Sequence, residues 1–246
     1  MLTLKVHRCI SAFFLLCLNL SASAQKVILS DELLTMSSAS RRNVYCEKLG
    51  KQPLQGEYRI KRGLDEECVV FDRGLMNGAY RRYRDGVLRE KGSYSAGKRN
   101  GLFTEYFQDG MTPSKTTPMN RGKIDGCVKT YFRNGGLASE KEFRQSIEHG
   151  VERRYDDRTR AKVLEIHWAN GKKEGTEWKL TEQGGGVQTR TVRTYRGGVL
   201  HGLCREEVWR HGKTILVVEG QYSDGERSGK WKKHDATTGQ TREWNE

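Results

Sequence analysis

From residue 52 to residue 235, short runs in which aromatic or aliphatic residues alternate with polar ones are cut at regular intervals by glycine. Leu75 to Gly97 shows the unit most clearly. After Gly78, the run Ala79-Tyr80-Arg81-Arg82-Tyr83 reads as a strand, and Asp85-Gly86 reads as a type I′ hairpin turn, in which both central residues need φ > 0. Val87 to Tyr94 reads as the return strand, and Ser95 to Gly101 turns the chain into the next copy. Gly101-Leu102-Phe103, Gly126-Cys127-Val128 and Gly150-Val151-Glu152 open further copies; later copies carry Trp178, Trp209 and Trp231, and the first, at Gly56-Glu57-Tyr58, is the least regular.

The anchor glycines are Gly56, Gly78, Gly101, Gly126, Gly150, Gly175, Gly202 and Gly229, spaced by 22, 23, 25, 24, 25, 27 and 27 residues. A period in this range predicts a repeat array. The reading is all-β: eight hairpins in an elongated single-layer antiparallel sheet of sixteen strands, about 75 Å long at the usual strand spacing. The recurring aromatic residues then stack along one face as cross-strand pairs and supply the core. Such arrays offer long surfaces rather than enclosed catalytic pockets.

Flanking segments set the boundaries. Residues 1–24 carry Lys5 and Arg8, an apolar stretch from Cys9 to Leu20, and Ala22-Ser23-Ala24, the form of a secretory signal peptide cleaved after Ala24. Residues 25–51 read as an irregular leader capping the first repeat, with a brief helix over Ser30–Leu34, and residues 52–246 as the array, closed by Arg242–Glu246. Cleavage removes Lys5 and Arg8 and lowers the formal charge from +13 to +11, so the exported chain stays basic. With 28 glycines, 3 prolines and 35% apolar residues, a thin turn-rich sheet fits better than a deep compact core.

The segments Tyr94-Ser95-Ala96-Gly97-Lys98-Arg99-Asn100-Gly101-Leu102-Phe103 and Tyr222-Ser223-Asp224-Gly225-Glu226-Arg227-Ser228-Gly229-Lys230-Trp231 resemble MORN-type repeats. More closely, they resemble the variant found in YwqK-type antitoxin proteins, over roughly residues 54–235. The resemblance implies an elongated antiparallel sheet without catalytic residues or cofactors, and a role as an antitoxin or immunity partner of a neighbouring toxin. Against the family pattern, Met111–Met119 inserts Pro113 and Pro118, expected to interrupt a return strand, and Gly184-Gly185-Gly186 lengthens the sixth hairpin turn.

Four cysteines follow the signal segment. Cys46 and Cys68 flank the first repeat, and a disulfide between them is expected to add about 3 kcal/mol by closing a loop of about twenty residues. Cys127 and Cys204, three hairpins apart, lie about 29 Å from each other in a regular sheet and are expected to stay free. His201, Cys204 and His211 lack the second ligand pair of a tetrahedral metal site, and Gly212-Lys213-Thr214 lacks the upstream glycine of a phosphate loop, Glu207 standing there. No pattern of nucleophile and base appears, so the chain reads as non-enzymatic.

The basic doublets Arg81-Arg82, Arg153-Arg154, Lys172-Lys173 and Lys232-Lys233 recur along the array. They are either a solvated face that protects the sheet from edge pairing or a positive stripe for an acidic protein, an anionic lipid or a glycan. Export argues against nucleic acid. The expected function is that of a periplasmic binding protein: an immunity protein for a toxin encoded nearby, or an envelope scaffold on anionic lipid or glycan. Free terminal strands also leave room for a homodimer.

Overall fold

The computed structural model describes residues 25–37 and 43–246; residues 1–24, where a signal peptide is expected, lie outside them. In chain order the strands are β1 (Lys26–Leu29), β2 (Leu33–Ser37), β3 (Asn43–Glu47), β4 (Gly56–Arg62), β5 (Asp65–Asp72), β6 (Leu75–Arg84) and β7 (Val87–Ser95). Then come β8 (Lys98–Arg99), β9 (Gly101–Tyr106), β10 (Pro113–Asn120), β11 (Lys123–Ile124), β12 (Gly126–Tyr131), β13 (Leu137–Arg144) and β14 (Ile147–Tyr155). The last seven are β15 (Lys162–Ala169), β16 (Lys172–Glu182), β17 (Val187–Arg196), β18 (Val199–Arg210), β19 (Lys213–Ser223), β20 (Glu226–Asp235) and β21 (Thr241–Asn245).

From β4 to β21 each strand pairs antiparallel with its neighbours in sequence, apart from the two-residue β8 and β11, which lead into β9 and β12. Counted with the strands they introduce, these give the sixteen strands of eight hairpins. The sheet holds nineteen strands in all, because β1 of the leader adds to β4 in parallel, Lys26 opposite Tyr58. β2 and β3 form a separate hairpin. The leader is therefore more ordered than expected, and its helix is a single 3-10 turn, Ser30–Glu32, with Glu32 Oε2 accepting from the Leu29 N–H at 2.9 Å.

All eight anchor glycines have positive φ, from 67° at Gly229 to 129° at Gly78. Four of them, Gly78, Gly150, Gly175 and Gly202, sit in the middle of three residues that face a single residue on the preceding strand. This bulge adds two residues to one strand, so alternation survives it and the second residue after each glycine keeps to one face. An L side chain there meets the penalty of left-handed backbone.

The second residues after the anchors are Tyr58, Tyr80, Phe103, Val128, Glu152, Glu177, Cys204 and Trp231. We call the side they share the ladder face. At its N-terminal end Ile28, Leu54, Tyr58, Ile60, Val69, Phe71, Tyr80 and Phe103 form the buried core. Tyr80, Tyr94 and Phe103 meet edge-on or tilted at centroid distances of 5.3 to 6.3 Å. Gly92 is the floor under Phe103: a Cβ there would lie 2.5 Å from the ring. The β2–β3 hairpin covers this end, with Tyr45 5.4 Å from Phe71 and Leu33 against the same cluster.

That cover overturns the expected disulfide, since Cys46 and Cys68 are both free thiols. Cys46 is fully buried within the leader hairpin, opposite Leu34. Cys68 lies directly between Arg59 and Arg81, on the reverse face from Tyr58, Val69 and Tyr80. The sheet itself separates them. Cys127 and Cys204 are also free.

A second correction concerns the prolines. β10 runs unbroken from Pro113 to Asn120 and pairs with β9 beyond a bulge between Pro113 and Lys115. The cost falls on its other side, where only Lys115 and Thr116 pair with β12.

Repeats are also tied together by stacked turns along one long edge. The amide N–H groups of Gly97, Gly122, Ser146, Gly171, Gly198 and Gly225 donate to the carbonyls of Met76, Arg99, Ile124, Glu148, Lys173 and Leu200, one repeat earlier, at 2.7–2.9 Å. The residue before the anchor glycine often adds a side-chain acceptor. Gln55 takes the Arg73 N–H, Asn77 the Ala96 N–H, Asn100 the Arg121 N–H and Glu174 the Gly197 N–H, at 2.7–3.3 Å. Each such bond is worth about 1 kcal/mol net.

Candidate binding site

The ladder face changes character halfway along. The second-residue column reads Tyr, Tyr, Phe and Val, then Glu152, Glu177 and Cys204, before closing on Trp231. Both glutamates are buried. Of the three later tryptophans named from the sequence, only Trp231 occupies this column. Trp178 stands one residue further along its strand and Trp209 near the end of β18.

A buried carboxylate persists only when it is paired and hydrogen-bonded. Glu152 Oε2 lies 3.0 Å from Lys141 Nζ and accepts from Trp168 Nε1 at 3.1 Å, while its Oε1 takes Arg154 Nη2 at 2.8 Å. Lys141 Nζ also sits 4.1 Å above the Trp168 ring. Burial raises the Glu152 pKa, but hydrogen bonds from Lys141 and Arg154 outweigh it and the net shift is downward. In the next repeat Lys173 pairs with Glu177 and rests 4.9 Å above Tyr195.

Around Glu152 the face opens into a groove of about 540 Å³. Val128, Phe132 and Phe143 give it apolar walls, and Lys141, Glu152 and Arg154 give it charge. Fixed charges between aromatic side chains on a sheet backbone suit the recognition of a polar segment carrying an apolar anchor.

The reverse face at the same strands is a chain of ion pairs. Arg153 reaches Glu165 at 2.9 Å and Glu140 at 3.2 Å, Lys162 reaches Glu165 at 2.8 Å, and Tyr155 donates to Glu140 at 2.9 Å. Hydrogen bonds from Lys162 and Arg153 pull the Glu165 pKa down to about 2 against some desolvation. A depressed carboxylate stabilises the fold above its unfolded pKa and loses that contribution as pH falls through the folded value. Glu165→Gln is therefore expected to flatten the fall in thermal midpoint between about pH 4.5 and pH 2. Parallel melting curves for both proteins across that window would refute the assignment.

The basic doublets do not converge on one face. Arg81, opposite Cys68, lies on the reverse face, while Arg82, opposite Glu67, lies on the ladder face. Arg153 and Arg154 split in the same way, and so do Lys232, opposite Glu219, and Lys233, opposite Val218. Lys172 and Lys173 come before their anchor glycine rather than after it, at the start of β16. Several members are also ion-paired, Arg82 with Glu90, Arg153 and Arg154 as above, and Lys173 with Glu177.

Among the described residues no group of three His, Cys, Asp or Glu side chains is placed to hold a metal ion. Burial pushes the Cys127 and Cys204 thiols up, which keeps them protonated and poorly nucleophilic. The architecture is that of an all-β repeat with a binding or structural role. The Lys141–Glu152 pair escaped the sequence reading, although aligning the repeats on their glycines and scanning the second column for charge exposes it. Neither a family model nor a curated protein matches this chain, so the resemblance to MORN-type repeats extends to the hairpin-repeat architecture and no further.

Proposed function

We propose that this is an exported, non-enzymatic protein-binding repeat protein, and specifically an immunity protein that occludes a toxin acting in the cell envelope. The observation that carries the reading is the groove at mid-array, where an aromatic ladder gives way to fixed charge between Val128, Phe132 and Phe143. A side chain from a partner fills that groove, and the charges set its register. The form of residues 1–24 supports the export in this reading.

The test is co-expression with the product of each neighbouring gene. A stable 1:1 complex that abolishes toxicity is expected for one of them. Phe132→Ala with Phe143→Ala is expected to weaken that complex by about tenfold or more, in line with aromatic anchors elsewhere. Undiminished toxicity with every neighbour would sink the immunity reading. An intact complex with the double variant would remove the groove from it.

A further inference from the structure

We propose that the edge of stacked turns is a docking line for an extended acidic segment of a partner protein. It is a second surface, separate from the groove, and does not depend on the immunity reading.

Five successive turns on this edge carry Lys98, Arg121 with Lys123, Arg144, Lys172, and Arg196. All six side chains are exposed, and among the described residues none lies within ion-pair distance of a carboxylate. Three carboxylates along the edge are engaged elsewhere. Asp125 takes Gln145 Nε2 at 2.8 Å, Glu148 pairs with Lys141, and Glu174 caps the Gly197 N–H. The line also has ends: Arg73 is paired with Asp72 on one side, and the turn at Asp224-Gly225-Glu226 is acidic on the other. The opposite edge is mixed, with Asp85, Asp109, Asp157 and Asp235 at its turns beside Arg84, Arg158 and Arg210.

The stack holds these cations at fixed intervals. Successive turns on one edge are two strands apart, about 9.6 Å, and three residues of extended chain cover about 10 Å. An acidic residue at every third position therefore meets each turn in register, and the five turns span about 38 Å, or about twelve residues. Ile147 and Val199 lie on the same line, 51% and 46% exposed, and offer apolar contacts between the charges. Their side chains lie 3.6 and 3.4 Å from where Gly171 and Gly225 would carry a Cβ, so the stack fixes them too. A bilayer is a poorer match, because the cations stand in single file and no aromatic residue at these turns is available for insertion.

The probe is a fluorescent fifteen-residue peptide, (Glu-Ser-Thr)5, compared with a peptide of the same composition whose five glutamates are contiguous. At about 50 mM salt, where screening is weak, the periodic peptide is expected to bind about fivefold tighter than the clustered one. Arg121→Glu with Lys172→Glu is expected to weaken it by about tenfold or more. Arg84→Glu with Arg210→Glu makes the same change in net charge on the opposite edge and should leave affinity within about twofold; circular dichroism verifies that both variants fold. Equal losses in the two double variants, equal affinity for the two peptides, or no binding of either would overturn the proposal. So would binding to vesicles of about 30% phosphatidylglycerol, abolished by Arg121→Glu with Lys172→Glu, in the absence of peptide binding.

Discussion

Trp231→Ala is expected to cost about 3–5 kcal/mol and to open the last repeats while the first remain closed. The indole is 2% exposed and is the largest buried side chain among the described residues. Its ring covers Gly220 so closely that a Cβ on that glycine would lie 2.2 Å away. Tyr222 meets it edge-on at 5.5 Å, Trp244 of the edge strand stacks on it at 6.3 Å, and the Arg227 guanidinium lies 4.6 Å above it. Removal strips β19, β20 and β21 of their shared contact, and among the described residues β21 pairs with β20 alone. Hydrogen exchange should show loss of protection from β19 onward with β4–β9 unchanged. Uniform loss along the array, or a cost below about 1 kcal/mol, would show that the sheet behaves as one cooperative block.

Lys141→Met should destabilise the middle of the array by about 3 kcal/mol, the lower end of the cost of breaking a buried ion pair. Arg154 and Trp168 still bond Glu152 after the change, which keeps the loss from being larger. The informative variant is the double, Lys141→Met with Glu152→Leu, which puts an aliphatic residue back into the column that holds Tyr80 and Phe103. Replacing both partners by apolar groups removes the desolvation penalty with the attraction, so most of the lost stability should return. Urea midpoints compare the three proteins. A double variant no more stable than the single one would mean that Lys141 packs the strands through its stem and not through its charge. Acid should separate them too, because the depressed Glu152 carboxylate contributes above its unfolded pKa and its contribution fades as pH falls.

Much of the architecture was legible because it rests on local rules. Asp85-Gly86 and Asp224-Gly225 announce turns that need two positive φ values, and the interval between glycines gives the strand count. What stayed hidden depends on which side of a sheet a residue faces. Cys46 and Cys68 are close in sequence, yet one is buried within the leader hairpin and the other opens onto the reverse face. The basic doublets are adjacent pairs in strands, so pleating must send their members to opposite faces; the doublets looked like a stripe only while alternation was ignored. Pro113 and Pro118 were tolerated because β10 shifts its lost pairing onto one side. Glu152 and Glu177 were missed for another reason. A charged residue in a strand suggests an exposed face until its partners are known, and Lys141 and Trp168 lie on separate strands 11 and 16 residues away.

The caps at the stacked turns carry a direction. Gln55, Asn77, Asn100 and Glu174 each present an acceptor whose donor lies 18 to 23 residues further along the chain. Each of these four hairpins therefore holds an acceptor that is filled only when the following turn is in place. In the folded array each of these units offers a docking point to its successor. At the last described unit the Glu246 N–H donates to the Gly229 carbonyl at 3.0 Å. The sheet therefore has a polarity along its length, acceptor first and donor second, although its hairpins are alike.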